Sequence, residues 1–153
     1  MFGPDDVLLT NRVAVVTGAA VGIGRAIALA FARFGADVAL CDRDADNMAT
    51  AAAEVGESGR GALTAQLDVR EEDQVAEFAV AVRERFGHVD VLVNNAGGGF
   101  RSDFVSVNSK GQNALVRENF QAAALPAVRL RASRDGTRKR SSGMTPRCSG
   151  SIQ

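Results

Sequence analysis

The first 93 residues alternate short apolar runs with longer stretches in which apolar residues recur at helical spacing. Four runs, at positions 12–17, 37–42, 62–67 and 89–93, are predicted to be strands, and the first suits a strand buried on both faces. The stretches at 22–34 and 70–86, and the one that holds Met48 and Val55, repeat their apolar residues every three or four positions and predict helices.

The same pattern predicts which side chains are buried. One face of the first helix is predicted to carry Ile23, Ile27, Ala30, Phe31 and Phe34. The next helix has a stripe of Met48, Ala51, Ala52 and Val55. We expect Phe31, Phe34, Phe78, Phe86 and Cys41 in the core, and His88 at a surface turn.

Strands separated by helices need crossover connections, so the β-α-β-α-β-α-β order predicts an α/β fold with a parallel sheet. We expect a Rossmann-like, doubly wound sheet in which the fourth strand lies beside the first. Ligands bind outside the carboxyl ends of the strands where the order reverses. The residues after Val16 and after Val93 are therefore predicted to line the site.

Charge divides the chain into two segments. The total is neutral, but residues 1–120 hold eleven basic and seventeen acidic residues, and residues 121–153 hold seven basic and one acidic. We predict a dinucleotide-binding domain over 1–125 and a basic, disordered tail over 126–153. The disorder is expected mainly from Arg129 onward, where Arg, Ser and Gly predominate. No fifth strand is recognisable after Asn119, so the sheet is predicted to be incomplete, with its fourth strand an exposed edge prone to self-association.

Several classes of protein are disfavoured. Two cysteines 107 positions apart and a single histidine support neither a disulfide framework nor a metal site. Asp5 and Asp6 stand where a signal peptide needs basic residues, and no apolar run suits a membrane span, so we expect a cytoplasmic protein with no membrane partner. The basic tail has no interleaved aromatic residue, so nucleic acid is not the expected partner.

A glycine-rich turn joins the first strand to its helix in Thr17-Gly18-x-x-x-Gly22-Ile23-Gly24. Gly18 permits a tight turn, and Gly22 and Gly24 remove side chains where a diphosphate would approach the backbone N–H groups of a helix end. Asp42 ends the second strand, 18 residues after Gly24, where a carboxylate can accept hydrogen bonds from ribose hydroxyls. This favours NAD over NADP, although Arg43 could partly screen a 2′-phosphate.

Two further motifs follow the third and fourth strands. Asp68, in Leu67-Asp68-Val69, could accept a hydrogen bond from an adenine amino group, or could cap the next helix together with Glu71. Asn94-Asn95-Ala96-Gly97 closes the fourth strand at the predicted crevice, where small residues let a flat ring pass close to the backbone.

Together these motifs resemble the short-chain dehydrogenase/reductase family over about the first 120 residues. The resemblance extends through Glu118-Asn119-Phe120, where the family places an asparagine that supports a proton-relay water. It implies an NAD(P)-dependent oxidoreductase in which a tyrosine acts as acid or base. A lysine four positions later lowers the pKa of that tyrosine, and a serine orients the substrate carbonyl.

This chain contains no tyrosine, and neither Lys110 nor Lys139 can stand in a Tyr-x-x-x-Lys unit. We therefore expect a form that binds cofactor but lacks the catalytic pair, with a carbonyl or alcohol substrate only if a complete site exists. The alternative is a non-catalytic dinucleotide sensor or interaction module. The abrupt loss of pattern and the reversal of charge suggest a frameshifted or truncated gene, which the other reading frames downstream of Asn119 would test.

Overall fold

The computed structural model describes residues 7–132, in which parallel strands alternate with helices. The strands are β1 Val13–Thr17, β2 Asp37–Asp42, β3 Ala62–Gln66 and β4 Val91–Val93. The first three helices are α1 Gly22–Arg33, α2 Ala45–Glu57 and α3 Glu72–Phe86. After β4 come a 3₁₀ turn at Phe104–Ser106, α4 Ser109–Val116, a π turn at Arg117–Gln121 and α5 Ala122–Ala132.

The strands form one parallel sheet in the order β3-β2-β1-β4. In its register Val13 lies opposite Asp37 on one side of β1, and Ala14 lies opposite Val91 on the other. The order reverses at β1, so the predicted doubly wound sheet and the pairing of the first and fourth strands are confirmed. Within residues 7–132, β4 is an edge of the sheet.

Apolar side chains cover both faces of the sheet. On one face, β1 and β2 side chains pack with α3 and α5, and the buried residues include Val15, Cys41, Phe78, Val82 and Leu130. On the other face they pack with α1 and α2. Cys41 is buried as predicted, and burial raises the pKa of its thiol to about 12. No helix within the described part of the chain is long and apolar enough to cross a membrane.

The predicted buried face of α1 is partly wrong. The residues that α1 buries are Gly24, Ala28 and Ala32, spaced one turn apart. Ile23 is 74% exposed and Phe34 is 46% exposed. Small residues let the helix lie close to the sheet, so larger side chains are displaced to its flanks. Of the other phenylalanines predicted in the core, Phe78 is buried, while Phe31 and Phe86 are half-buried.

A helix crosses the predicted boundary at residue 125. Helix α5 continues through Pro126 to Ala132, into the segment predicted to be a disordered tail. Leu130 is 5% exposed and joins the core cluster against α3, and Arg129 pairs with Glu72. These contacts with α3 stabilise the helix despite its proline. The rest of the predicted tail, 133–153, lies outside the described residues.

Candidate functional site

The turn between β1 and α1 has no room for side chains at two of its glycines. Gly18 has a φ of +65°, and a Cβ there would lie 2.9 Å from the Cα of Ala96. A Cβ on Gly24 would lie 2.1 Å from the carbonyl oxygen of Gly18. Gly22 has a φ of +60° but open space around it. The turn is therefore folded tightly against the segment after β4, and its outer side stays open.

Side chains at the carboxyl ends of β1 and β4 join the two strands. The Thr17 hydroxyl accepts hydrogen bonds from the backbone N–H groups of Asn95 and Ala96, both at 3.0 Å. The Asn95 amide donates to the carbonyl oxygens of Thr17 and Gly18, also at 3.0 Å. Thr17 is 1% exposed, so its side chain holds the site together and is not available to a ligand.

Asp42 connects the end of β2 to the glycine-rich turn. One carboxylate oxygen accepts from the backbone N–H of Ala20 at 3.1 Å. The other accepts from the N–H groups of Arg43 at 2.7 Å and Asp44 at 3.2 Å. An ionised carboxylate has about four acceptor positions, so a ligand hydroxyl could still bind it. Asp42 therefore supports the turn and keeps an acceptor position for a ligand.

Helix α1 begins without a side-chain cap. Its N-cap residue is Val21, no side chain bonds its first turn, and that turn holds no acidic residue. The first N–H groups of a helix lack partners within the helix and carry partial positive charge. This helix end, at which Gly22, Ile23 and Gly24 form the first residues, can accept an anion that approaches the backbone closely.

Asp68 lies after β3 and is held by Arg70. The Arg70 Nε donates to both Asp68 carboxylate oxygens, at 2.9 and 3.0 Å, and the Arg70 Nη1 donates to Glu118 at 2.8 Å. The hydrogen bond from the Arg70 side chain lowers the pKa of Asp68. The capping alternative for Asp68 is wrong, because α3 begins after Glu71 and no side chain caps it.

Asn119 lies in the π turn between α4 and α5, a rare geometry that is frequent at functional sites. Its amide donates to the carbonyl oxygens of Gly98 at 2.8 Å and Leu115 at 3.0 Å, and its oxygen accepts from the Gly98 N–H at 3.3 Å. A Cβ on Gly97 would lie 2.8 Å from that oxygen. Asn119 is thus fixed against the segment after β4.

These segments enclose one cleft at the carboxyl edge of the sheet. The predicted site residues that line it are Gly18, Asp42, Arg43, Asp68, Val69, Asn95, Ala96 and Gly97. Thr17 is buried and does not line the cleft, and neither do Gly22, Ile23, Gly24 and Asn119.

Arg70 and Glu118 also line the cleft, and the sequence did not single them out as site residues. Arg70 could have been found from its place just after β3, at the same edge of the sheet as Asp42. Glu118 was noted only as the neighbour of Asn119, and the turn that holds it was not predicted.

Comparison with known proteins identifies the family. The family model for short chain dehydrogenases matches residues 12–137. The 7alpha-hydroxysteroid dehydrogenase of Escherichia coli K12 is 38% identical over 99 residues, which cover 65% of this chain and 39% of that protein. Gluconate 5-dehydrogenase of Gluconobacter oxydans is 35% identical over 122 residues, which cover 80% of this chain and 48% of that protein.

A solved neighbour is the alcohol dehydrogenase of the archaeon Thermococcus sibiricus complexed with 5-hydroxy-NADP. It is 36% identical with a TM-score of 0.76, and the match covers 82% of this chain and 54% of that one. The chain thus spans about half the length, or less, of the relatives it matches. Because the family model spans most of the chain and the matched motifs meet at one cleft, the chain belongs to the short-chain dehydrogenase family.

Proposed function

We propose that this chain is the cofactor-binding part of an oxidoreductase and that its cleft takes NAD in preference to NADP. The observation that carries the proposal is the position of Asp42, whose carboxylate lines the cleft beside the glycine-rich turn. A carboxylate there accepts hydrogen bonds from a ribose, whereas a 2′-phosphate would meet a like charge. Arg43 lines the same cleft and reduces the penalty for such a phosphate without removing it.

The cleft and the first turn of α1 together fit a dinucleotide, in order along the sheet. The diphosphate is assigned to the uncapped end of α1, and the adenosine ribose to Asp42 at the end of β2. The base is assigned to Asp68 and Val69 at the end of β3. After β4, Ala96 and Gly97 line the cleft with backbone and very small side chains. We assign the flat ring at the other end of the dinucleotide, and its ribose, to this part of the cleft.

A bound dinucleotide would supply hydride transfer, and the chain would supply binding and orientation. The proton transfer that accompanies hydride transfer needs a positioned acid or base. The family resemblance assigns that role to a tyrosine, and this chain has none. Loss of such a group costs about 10² to 10⁴ in rate, so we expect cofactor binding with little or no turnover. Asn119, held by Gly98 and Leu115, is the residue we assign to support of a relay water.

The absence of tyrosine also favours a second function, a non-catalytic dinucleotide sensor or interaction module. Binding of NADH without turnover, together with a defined partner that recognises the NADH-bound form, would support it. Turnover of a carbonyl or alcohol by the purified chain would instead support an enzyme that uses other residues. A substrate is proposed only for a chain with a complete site.

The test is titration of the purified chain with NADH and with NADPH. The chain has no tryptophan, so the emission of the nicotinamide itself reports binding. We expect NADH to bind about tenfold more tightly, equivalent to about 1.4 kcal/mol. Asp42→Asn should reduce that preference to about twofold, because the amide no longer repels a 2′-phosphate. Asp46→Asn is the matched control, since it removes the same charge from an exposed position outside the cleft and should leave the preference unchanged.

Two results would contradict the proposal. Binding of neither dinucleotide would remove the cofactor site itself. An unchanged NADH/NADPH preference in Asp42→Asn would remove the ribose assignment while leaving the cleft as a dinucleotide site.

A further inference from the structure

Side chains connect the segments that follow the two edge strands of the sheet. Within residues 7–132, β3 and β4 lie at opposite ends of the strand order β3-β2-β1-β4. Arg70 lies in the loop after β3, and Gly98 lies in the segment after β4. Glu118, in the π turn, contacts both residues. We call the ion pair between Arg70 and Glu118 the bridge.

Arg70 is itself fixed at the β3 end of the bridge. Its Nε donates to both carboxylate oxygens of Asp68, at 2.9 and 3.0 Å, and its backbone N–H donates to the same carboxylate at 3.0 Å. This leaves Nη1 to donate to the Glu118 Oε2 at 2.8 Å. The Arg70 side chain is 31% exposed and that of Glu118 is 24% exposed, so the bridge is screened by salt less than a fully exposed pair.

Two consecutive residues of the π turn hold Gly98. A Cβ on Gly98 would lie 2.9 Å from the Glu118 Oε1 and 3.1 Å from the Glu118 Cδ, so the carboxyl group packs directly against the Gly98 Cα. Asn119 bonds both backbone polar groups of Gly98, at 2.8 and 3.3 Å. A shift of the π turn therefore shifts Gly98, and the bridge restrains the turn.

The contacts end beside the place assigned to the nicotinamide ring. Gly97 precedes Gly98 and lines the cleft, and a Cβ on Gly97 would lie 2.8 Å from the Asn119 Oδ1. At Ala96 and Gly97 a ring meets mainly backbone, so its binding depends on where those backbone atoms are held. This step rests on the function proposed above.

We propose that Arg70 is a positioning residue for the nicotinamide end of the cleft, although it lies at the other end. Through Glu118 it fixes Gly98 and the neighbouring Gly97, so the ring half of a dinucleotide is held only while the bridge is intact. A purely local role for Arg70 would instead affect the adenosine half of the ligand and leave the ring half as it was.

The experiment compares NADH with ADP-ribose, which has the adenosine, the diphosphate and the second ribose but no nicotinamide ring. Both are titrated into the purified chain by isothermal titration calorimetry, and the readout is the ratio of the two affinities. We expect the parent chain to bind NADH about fivefold more tightly, the scale of one hydrogen bond made by the ring. A general loss of stability, or damage at the adenosine end, lowers both affinities and leaves the ratio unchanged.

Two substitutions disrupt the bridge from its two sides. Arg70→Gln removes the guanidinium, and Gly98→Ala places a methyl group where the Glu118 carboxyl group packs. Gly98 has no positive φ, so the methyl group adds no backbone strain of its own. Each variant should lower the ratio below about twofold. The double variant should lower it no further, because both changes act through the same contact.

Two substitutions of Glu118 test whether the bridge itself matters. Glu118→Ala removes the bridge and should lose the ratio as Arg70→Gln does. Glu118→Gln keeps an oxygen that accepts from Arg70 and a side chain of the same size against Gly98, so it should recover most of the ratio that Glu118→Ala loses. Glu118→Ala also carries the test if Arg70→Gln does not fold.

Each disruptive change has a matched control outside the cleft. Gly99→Ala adds the same methyl group one position along, where its nearest contact would be ordinary, at 4.0 Å from the Leu115 Cδ2. Arg117→Gln removes an arginine of the same π turn, which pairs with Glu71 at 4.0 Å, and both of these side chains are more than half exposed. Both controls should keep the ratio of the parent chain.

The outcomes separate this inference from the proposed function. If the parent chain binds NADH and ADP-ribose equally, or if Arg70→Gln and Gly98→Ala lower both affinities in proportion, the inference is overturned and the cofactor site stands. Loss of the ratio in Gly99→Ala or Arg117→Gln as complete as in the disruptive variants would also overturn it. Binding of neither ligand by the parent chain would overturn both proposals.

Discussion

Replacement of Gly24 by alanine tests whether the tight glycine-rich turn described above is needed for the fold. The new Cβ would lie 2.1 Å from the carbonyl oxygen of Gly18 and 2.5 Å from the Asn95 amide nitrogen. The nearest atom is backbone, so either α1 must move outward or the turn must open. Overpacking of this kind costs about 1–3 kcal/mol, and we expect the upper end because no flexible side-chain terminus can move aside for the carbonyl contact.

Two other glycines provide the scale for this effect. Gly22→Ala has open space but a φ of +60°, so it should cost about 1 kcal/mol of backbone strain and no more. Gly56→Ala has open space and lies within α2, so it should be neutral or stabilise by up to about 1 kcal/mol. The three substitutions add the same methyl group, and only the backbone conformation and the surroundings differ.

The assay is urea unfolding followed by far-ultraviolet circular dichroism, with NADH titration of each folded variant. The free energies of unfolding should rank Gly56→Ala above Gly22→Ala above Gly24→Ala, and Gly24→Ala should lose most of its NADH affinity. A Gly24→Ala chain that unfolds at the urea concentration of the parent would refute the reasoning, because the turn would then be able to open at no cost.

Three further predictions concern the core, the carboxyl group of Asp68 and the sheet edge. Val82→Ala should lower the free energy of unfolding by about 2 kcal/mol, because Val82 is fully buried. Val80 lies on the same helix but is 56% exposed, so Val80→Ala should change the free energy of unfolding little. Equal urea midpoints for the two variants would contradict this. The hydrogen bond from Arg70 lowers the pKa of Asp68, so its contribution to stability is present above about pH 4 and is lost as the pH falls through its folded value. Urea midpoints of the parent should therefore decline more steeply below about pH 4 than those of Asp68→Asn, and parallel curves would rule this out. Among residues 7–132, β4 is an edge of the sheet, which predicts that the chain self-associates. Its apparent mass in sedimentation should therefore rise with concentration, and a single monomeric species throughout would disprove this.

The sequence was sufficient to predict the sheet because its strands are short, continuous apolar runs. Val13–Thr17 is fully buried and Asp37–Asp42 nearly so, as expected for central parallel strands covered on both faces. Their alternation with helices allowed few topologies, and the handedness of crossover connections reduced those further. The glycine-rich turn and Asp42 were found because residues at strand ends are brought together by topology alone.

The buried face of α1 and the extent of α5 were predicted less well from the sequence. The helical spacing of apolar residues predicted Ile23 to be buried, yet Ile23 is exposed and the neighbouring Gly24 is buried. Close packing against the sheet selects small residues, and hydrophobicity scales give such residues low values. Helix α5 contains a proline and two arginines, and only its contact with α3 explains why Leu130 is buried there. Tertiary contacts overrode local propensity in both cases.

The pairing of Arg70 with Glu118 was missed for a different reason. Arg70 and Glu118 are 48 positions apart, and each is unremarkable among the surface charges of its own segment. Glu118 belongs to the π turn, which no local pattern predicted, and it meets Arg70 from the loop after β3. Long-range ion pairs of this kind become visible only when the backbone is known.

The central position of β1 has a consequence for how the chain is made. β1 pairs with β4, whose first residue follows the last residue of β1 by 74 positions. At a synthesis rate of about 5–20 residues per second, β1 leaves the ribosome roughly 4–15 seconds before its second partner. During that interval one side of an apolar strand has no neighbouring strand. The nascent chain must then be protected from aggregation by α1 and β2, by a chaperone, or by infrequent encounters with other chains.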